Sequence, residues 1–334
     1  MPIAYAASAA GATLEALEYE LGPLAETAVE IDVLHCGICH SDLSMLNNEW
    51  GMTTFPFVGG HEVVGRVRAV GSRVSTHKVG DLVGVGWHAG YCHSCPQCQE
   101  GDQNLCSQAQ GTIVGRFGGF AEVIQADAAS AIAIPEGMKL EAVGPLFCGG
   151  ITVFNPMLQF HLSPLSKVGV VGIGGLGHLA LQFLNAWGCE VTAFTSSPEK
   201  AEEARKLGAH KIINSKDDEE ISGAAGYFDY IISTVNVKLD WNLYLAALKP
   251  KGRLHFVGAT LEPLDINVFS LITAQRVVSG SPVGSPGSIA KMLEFANRHN
   301  VETMIEVFPF EKINEALKHL EEGKARYRVV LSRA

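Results

Sequence analysis

The chain has 334 residues, 47% apolar and 18% charged, with 25 Lys+Arg against 35 Asp+Glu and a formal net charge of −10. That apolar content excludes a disordered chain, and the acidic balance argues against sequence-independent binding to nucleic acid, which needs clustered Lys and Arg. At roughly 150 residues per domain, the length predicts about two domains.

The Ala-rich start, Met1 to Leu14, lacks the basic residues of a signal peptide, and Glu15 follows it. No apolar run reaches the roughly eighteen residues of a membrane span. The expectation is a cytoplasmic protein with no membrane partner. In a reducing compartment its 8 cysteines are expected to bind metal or serve catalysis rather than form disulfides.

Up to about residue 145 the chain reads as all-β. Short Val/Ile-rich runs recur between glycines at Val29–Leu34, Val63–Val70, Leu82–Val85 and Phe120–Ile124, which predicts a barrel or sandwich. From about residue 150 the pattern alternates. Val168–Val171 is a strand, Leu176–Trp187 a helix, Val191–Phe194 a strand, Pro198–Leu207 a helix and Lys211–Ile213 a short strand. Tyr230–Ser233 and Arg253–Val257 continue the series, as a doubly wound parallel sheet requires. Helices at Ile289–Arg298 and Lys312–Glu322 and a strand at Arg326–Leu331 end the chain.

Cys92-x2-Cys95-x2-Cys98-x7-Cys106 is the strongest local signal. Four thiolates so spaced can close a tetrahedron round one Zn²⁺, and a closed shell makes the site structural. A zinc-ribbon nucleic-acid module is disfavoured, because no Lys or Arg occurs between Trp87 and Arg116. Cys36, Cys39, His61, Glu62 and Cys148 form a dispersed second set. His61 follows Gly59-Gly60, and Cys148 stands in Cys148-Gly149-Gly150 where the two patterns meet. Spacing alone leaves open a second metal, a redox pair or buried structural residues. Gly172-Ile173-Gly174-Gly175-Leu176-Gly177 follows a strand and opens a helix, which is the context a dinucleotide-binding fingerprint needs.

Gly37-Ile38-Cys39-His40-Ser41-Asp42-Leu43, Gly60-His61-Glu62, the cysteine loop, Gly118-Gly119-Phe120-Ala121-Glu122 and Pro145-Leu146-Phe147-Cys148-Gly149-Gly150-Ile151-Thr152-Val153 follow in order. Together they resemble the zinc-containing medium-chain alcohol dehydrogenases, nearest to the cinnamyl-alcohol-dehydrogenase-like branch. The resemblance implies a GroES-like β-barrel catalytic domain at 1–148 and 284–334, with a Rossmann cofactor domain at 149–283 inserted in it. It implies a catalytic zinc on Cys39, His61 and Cys148, with Glu62 near or transiently on the metal and Asp42 orienting the imidazole. Cys36 and Cys189 receive no task. Ser41 matches the relay hydroxyl. Many relatives continue that relay with a His where this chain has Ser44, so proton release is expected to be slower or to depend differently on pH.

No carboxylate ends the second strand of the sheet, in Phe194-Thr195-Ser196-Ser197-Pro198-Glu199-Lys200. Ser196, Ser197 and Lys200 could hold a 2′-phosphate, as in NADP-preferring members, although Glu199 could turn to the ribose. The resemblance also places His40 and Arg328 near the pyrophosphate and Thr152 at the nicotinamide. Gly172, Gly174, Gly175, Leu176 and Gly177 would cradle the phosphates. Val257-Gly258 and Ser279-Gly280-Ser281 read as cofactor-lining loops. Arg328 could equally lie on a solvated strand face. Trp50, Phe57 and Trp87 are candidates for an aromatic substrate pocket or for core.

The expected activity is therefore hydride transfer between NADP(H) and aliphatic or aromatic alcohols or aldehydes. It would need two Zn²⁺ per chain, in a homodimer or homotetramer. The alternatives are a zinc-independent enone or quinone reductase of the same fold and a catalytically silent binding protein.

Overall fold

In a computed structural model that describes residues 1–333, the chain divides into two units, residues 1–151 with 283–334, and residues 152–282. The first unit is organised by one strand, Ala28–Ile38, whose side chains alternate between buried and half-buried before running fully buried at its end. It pairs antiparallel with three others: Glu62–Val70, Val123–Asp127 and Arg328–Ser332. Leu82–Val85 and Ile132–Ala133 extend one side of this seven-stranded sheet, and Ile305–Pro309 extends the other, parallel to Arg328–Ser332. Val29, Ile31, Val33, Val63, Val67, Val83, Val85 and Phe120 fill its core with Leu317 and Leu320 of a C-terminal helix.

Register decides where chemistry can sit. Gly37 pairs with Glu62, and Ile38 with Val329. The residues just beyond these pairs, Cys39, His61 and Arg328, are thereby gathered at one end of the sheet.

The first 145 residues are not all-β. They contain the helices His40–Leu46, Pro96–Glu100 and Leu140–Val143. Each is too short to repeat a 3.6-residue pattern that a sequence reading could detect. The strand expected at Phe120–Ile124 runs instead over Val123–Asp127, because the Phe120 and Gly119 amides donate to the carbonyls of Gly59 and Gly60.

The second unit is a six-stranded sheet, parallel throughout. Its order is Lys211–Ile213, Glu190–Phe194, Lys167–Val171, Phe228–Ser233, Leu248–Phe256, Val277–Gly280. This doubly wound order reverses direction beside Lys167–Val171, where ligands bind at strand ends. Phe194, Phe228, Ile231, Trp241, Tyr244 and Leu254 form its core. Ser279 and Gly280 belong to the edge strand Val277–Gly280 and not to a loop. An edge strand half open to solvent carries no continuous apolar run, so its sequence reads as a loop.

Candidate active site

Cys39 follows the long strand and stands at the N-cap of the helix His40–Leu46. Its amide donates to Asp42 Oδ2 at 2.8 Å. The other oxygen of the same carboxylate accepts from the Gly60 amide at 2.8 Å and faces His61 Nδ1 at 3.0 Å. Asp42 is 1% exposed, so one buried carboxylate ties the strand end, the Gly59-Gly60 turn and the imidazole together. The carboxylate accepts the Nδ1 proton, which fixes the ring so that Nε2 faces the two thiols. That Nε2 lies 3.2 Å from Cys148 Sγ, and Cys148 Sγ lies 3.9 Å from Cys39 Sγ.

These separations suit a tetrahedral zinc, for which ligand bonds of ~2.0–2.3 Å imply S···S and S···N distances of roughly 3.8 and 3.6 Å. Cys39, His61, Glu62 and Cys148 are all buried, with one ligand atom of each within 4.8 Å of the others. Their electrostatics suit a cation too. Cys39 is held well below the ordinary thiol range, first by a hydrogen bond from Cys148 and then, against the cost of burial, by Arg328 and His61. Burial lowers the proton affinity of His61, but Asp42, through charge and hydrogen bond, and Cys39 outweigh it and raise it well above the usual value. An anion-rich pocket sealed from water calls for positive charge at its centre.

Behind the ligands, Arg328 pairs with Glu62 Oε1, and Nη1 lies 4.0 Å from Cys39 Sγ. Arg328 is 3% exposed, so it does not stand on a solvated strand face. Its guanidinium is engaged inside the site. Glu62 Oε2 is buried without a hydrogen-bond partner. Burial raises the Glu62 carboxyl above its ordinary range, with Arg328 opposing. Gly37 makes room for this pair, since a Cβ there would lie 2.0 Å from Glu62 Oε2. The Arg328–Glu62 contact spans most of the chain and has no local sequence signature.

Ser41 Oγ lies 3.8 Å from Cys39 Sγ, within a sulfur hydrogen bond. Trp87 sets its ring edge-on to His61 at 5.0 Å, and Trp50 packs against Trp87 at 6.0 Å. Phe57 belongs elsewhere. It is 3% exposed in the hydrophobic core, and its backbone pairs with Ala7.

Cys92, Cys95, Cys98 and Cys106 form a second cluster within 4.8 Å. Cys92 Sγ lies 3.5 Å from Cys106 Sγ and 3.9 Å from Cys98 Sγ. The Cys95 amide donates to Cys92 Sγ at 3.3 Å, and hydrogen bonds from the backbone amide of Ser94 first and of Cys95 next draw that thiol down to about 5. All eight cysteines are free of disulfides, as metal ligation requires.

In the second unit, the glycine turn joins Lys167–Val171 to the helix Gly177–Trp187. Gly172 has φ +88°, a Cβ on Gly177 would lie 1.9 Å from the Gly172 carbonyl, and a Cβ on Gly174 would meet nothing within 4 Å. The turn is closed on its inner side and open on its outer side, where a pyrophosphate can approach the backbone. Ser197 caps the helix Pro198–Lys206, accepting from the Lys200 amide at 3.3 Å and donating to Glu199 Oε2 at 2.7 Å. Ser196 is exposed and Lys200 half-buried. The hydroxyls of Ser279 and Ser281 lie 2.9 and 3.0 Å from the two ring nitrogens of His255. Thr152 is buried in the helix Gly149–Gln159, and His40 is exposed.

Family models agree with this anatomy. Residues 25–136 match the alcohol dehydrogenase GroES-like domain, and residues 175–298 match the zinc-binding dehydrogenase domain. An aldehyde reductase of Synechocystis sp. is 59% identical over 329 residues, covering 98% of both chains. A sorghum cinnamyl alcohol dehydrogenase structure superposes with a TM-score of 0.95 at 38% identity, covering 99% of this chain and 97% of that one. A Helicobacter pylori relative solved as a complex with NADP(H) gives 0.91 at 30% identity, covering 99% and 97%. With its two ligand clusters and glycine turn in place, this chain belongs to the zinc-type medium-chain alcohol dehydrogenases, in their cinnamyl-alcohol-dehydrogenase-like branch.

Proposed function

We propose that this zinc-type alcohol dehydrogenase works as an NADPH-dependent reductase of aliphatic and aromatic aldehydes, with the catalytic metal on Cys39, His61 and Cys148. The observation that carries this reading is the buried ligand set, ordered by Asp42 and held 3.2–3.9 Å apart. When bound, zinc supplies Lewis-acid polarisation of the substrate oxygen, and the nicotinamide supplies the hydride.

The chain's residues do the rest. Cys39 and Cys148 as thiolates would balance a divalent charge, and His61 Nε2, once deprotonated by metal binding, would be the third protein ligand. Ser41 is the first hydroxyl on the proton's path. Ser44 cannot act as a base near neutral pH, so the path continues through water. Trp50 and Trp87 present apolar surface beside His61, which favours aldehydes with apolar bodies over sugars or acids.

NADPH is preferred over NADH because exposed Ser196 and the lysine at 200 are free to meet a 2′-phosphate, while the Glu199 carboxylate is tied to Ser197. The NADP(H) complex of the Helicobacter relative supports this reading. His40, Thr152 and Val257 complete the cofactor contacts in this proposal. The second cluster, on Cys92, Cys95, Cys98 and Cys106, holds a structural zinc. Thiolate-rich zinc sites suit a reducing compartment such as the cytoplasm.

The second unit also supports assembly as a homodimer. Val277–Gly280 is an open sheet edge, and Val268, Phe269 and Ile272 nearby in sequence are 61, 74 and 67% exposed. An unguarded edge with apolar neighbours invites a symmetric partner strand.

The test is an aldehyde panel run with NADPH and NADH in parallel, on the wild type and on Ser44→His. Benzaldehyde and butanal with NADPH should exceed both NADH and charged aldehydes in kcat/KM by at least about tenfold. Ser44→His should alter the pH–rate profile. Equal rates with NADH would overturn the cofactor assignment, an unchanged profile the relay argument, and sedimentation as a monomer the dimer.

A further inference from the structure

The first unit contains a cavity of about 580 Å³, a volume typical of small-molecule sites. It lies between the loop at Tyr19–Gly22, the segment Ala109–Gly111, the turn Val114–Phe117 and the strand residues Val123–Gln125. None of its lining residues belongs to either metal-ligand cluster.

Its one strongly basic group is Arg116. This side chain is half-buried and donates from Nη2 to the Gln125 carbonyl. Its Nε is buried without a hydrogen-bond partner. Among the described residues Arg116 makes no ion pair, and the environment lowers its pKa through burial with no acid opposing. A guanidinium drawn out of water without a counter-charge is costly, and an arriving anion removes that cost.

The rest of the cavity narrows the class of anion. Tyr19 and Phe117 meet edge to face at 5.6 Å beside Arg116, and Val114, Leu21 and Ile124 add apolar wall. The Tyr19 hydroxyl is taken up by the Val123 carbonyl, and Gln125 Nε2 by the Gly22 carbonyl and Glu30. One guanidinium and no lysine, with the carboxylate of Glu20 also in the lining, suits a single negative charge and repels a doubly charged phosphate. A planar carboxylate matches the guanidinium fork, and an aromatic body matches the ring walls. We propose that this cavity is a second small-molecule site that takes an aromatic monocarboxylate, its carboxylate paired with Arg116 and its ring set against Tyr19 and Phe117.

The test is isothermal titration of the zinc-loaded protein with benzoate, with benzamide as the uncharged analogue and inorganic phosphate as the alternative anion. Wild type should bind benzoate saturably, and benzamide and phosphate at least about tenfold more weakly. Arg116→Met, which keeps the volume and removes the charge, should lose at least about tenfold in benzoate affinity. Gly22→Trp gives a second variant that keeps Arg116, since a side chain at 22 starts in open space. It crowds the cavity and should weaken benzoate comparably. The proposal is overturned if wild type does not bind benzoate, if phosphate binds better, or if both variants bind benzoate as wild type does, which would place the ligand elsewhere.

Discussion

Asp42 ligates nothing, yet it accepts from Cys39 and Gly60 and orients His61. Asp42→Asn keeps the shape but turns one acceptor into a donor facing an N–H group. We expect the catalytic site to lose zinc affinity by roughly 10–100-fold, read by chelator competition, with the four-cysteine site unaffected. Equal affinity in the variant would mean that the carboxylate does not position the ligand. At this scale most of the site was legible in the sequence, because Cys39, Asp42, His61 and Cys148 each lie within a short motif. Arg328 was not. Its buried place against Glu62 depends on pairing between strands from opposite ends of the chain, and only the register reveals it. For Phe57 the structure bears out the core reading of the two the sequence offered, since an aromatic residue near a motif does not disclose how deeply it packs.

Among the elements, those with long periodicity or flanking glycines were legible. Leu82–Val85 and Lys211–Ile213 have the expected limits, and Gly177–Trp187 begins one residue later than expected. Short helices and the edge strand Val277–Gly280 escaped notice, since their stability comes from tertiary pairing rather than pattern. That edge strand is joined to its neighbour by a buried histidine. His255 is fully buried between Ser279 and Ser281, and burial lowers its pKa from 6.5 to about 4, with Arg253 adding to the effect. Its folded pKa lies below its unfolded one, so its contribution is complete above pH 6.5 and is lost as pH falls towards 4. The loss is on the order of 3 kcal/mol. Denaturant unfolding between these pH values should therefore show a shallower acid dependence in His255→Gln than in wild type. Parallel slopes would show that the imidazole is already protonated in the fold.

For the whole molecule, composition and alternation were enough to indicate two units and a cofactor sheet. The structure sets the units at 1–151 with 283–334, and 152–282. No helix among the described residues is long and apolar enough to cross a membrane. The proposed function needs two metals, one on the four-cysteine cluster and one on Cys39, His61 and Cys148. Zinc content, measured by plasma mass spectrometry beside turnover in wild type and Cys39→Ser, tests that claim directly. Wild type should carry two zinc ions per chain, one in each ligand cluster. Cys39→Ser should keep the zinc of the four-cysteine cluster and the thermal melt while losing aldehyde reduction. Full turnover with one zinc per chain, or an active Cys39→Ser, would contradict it.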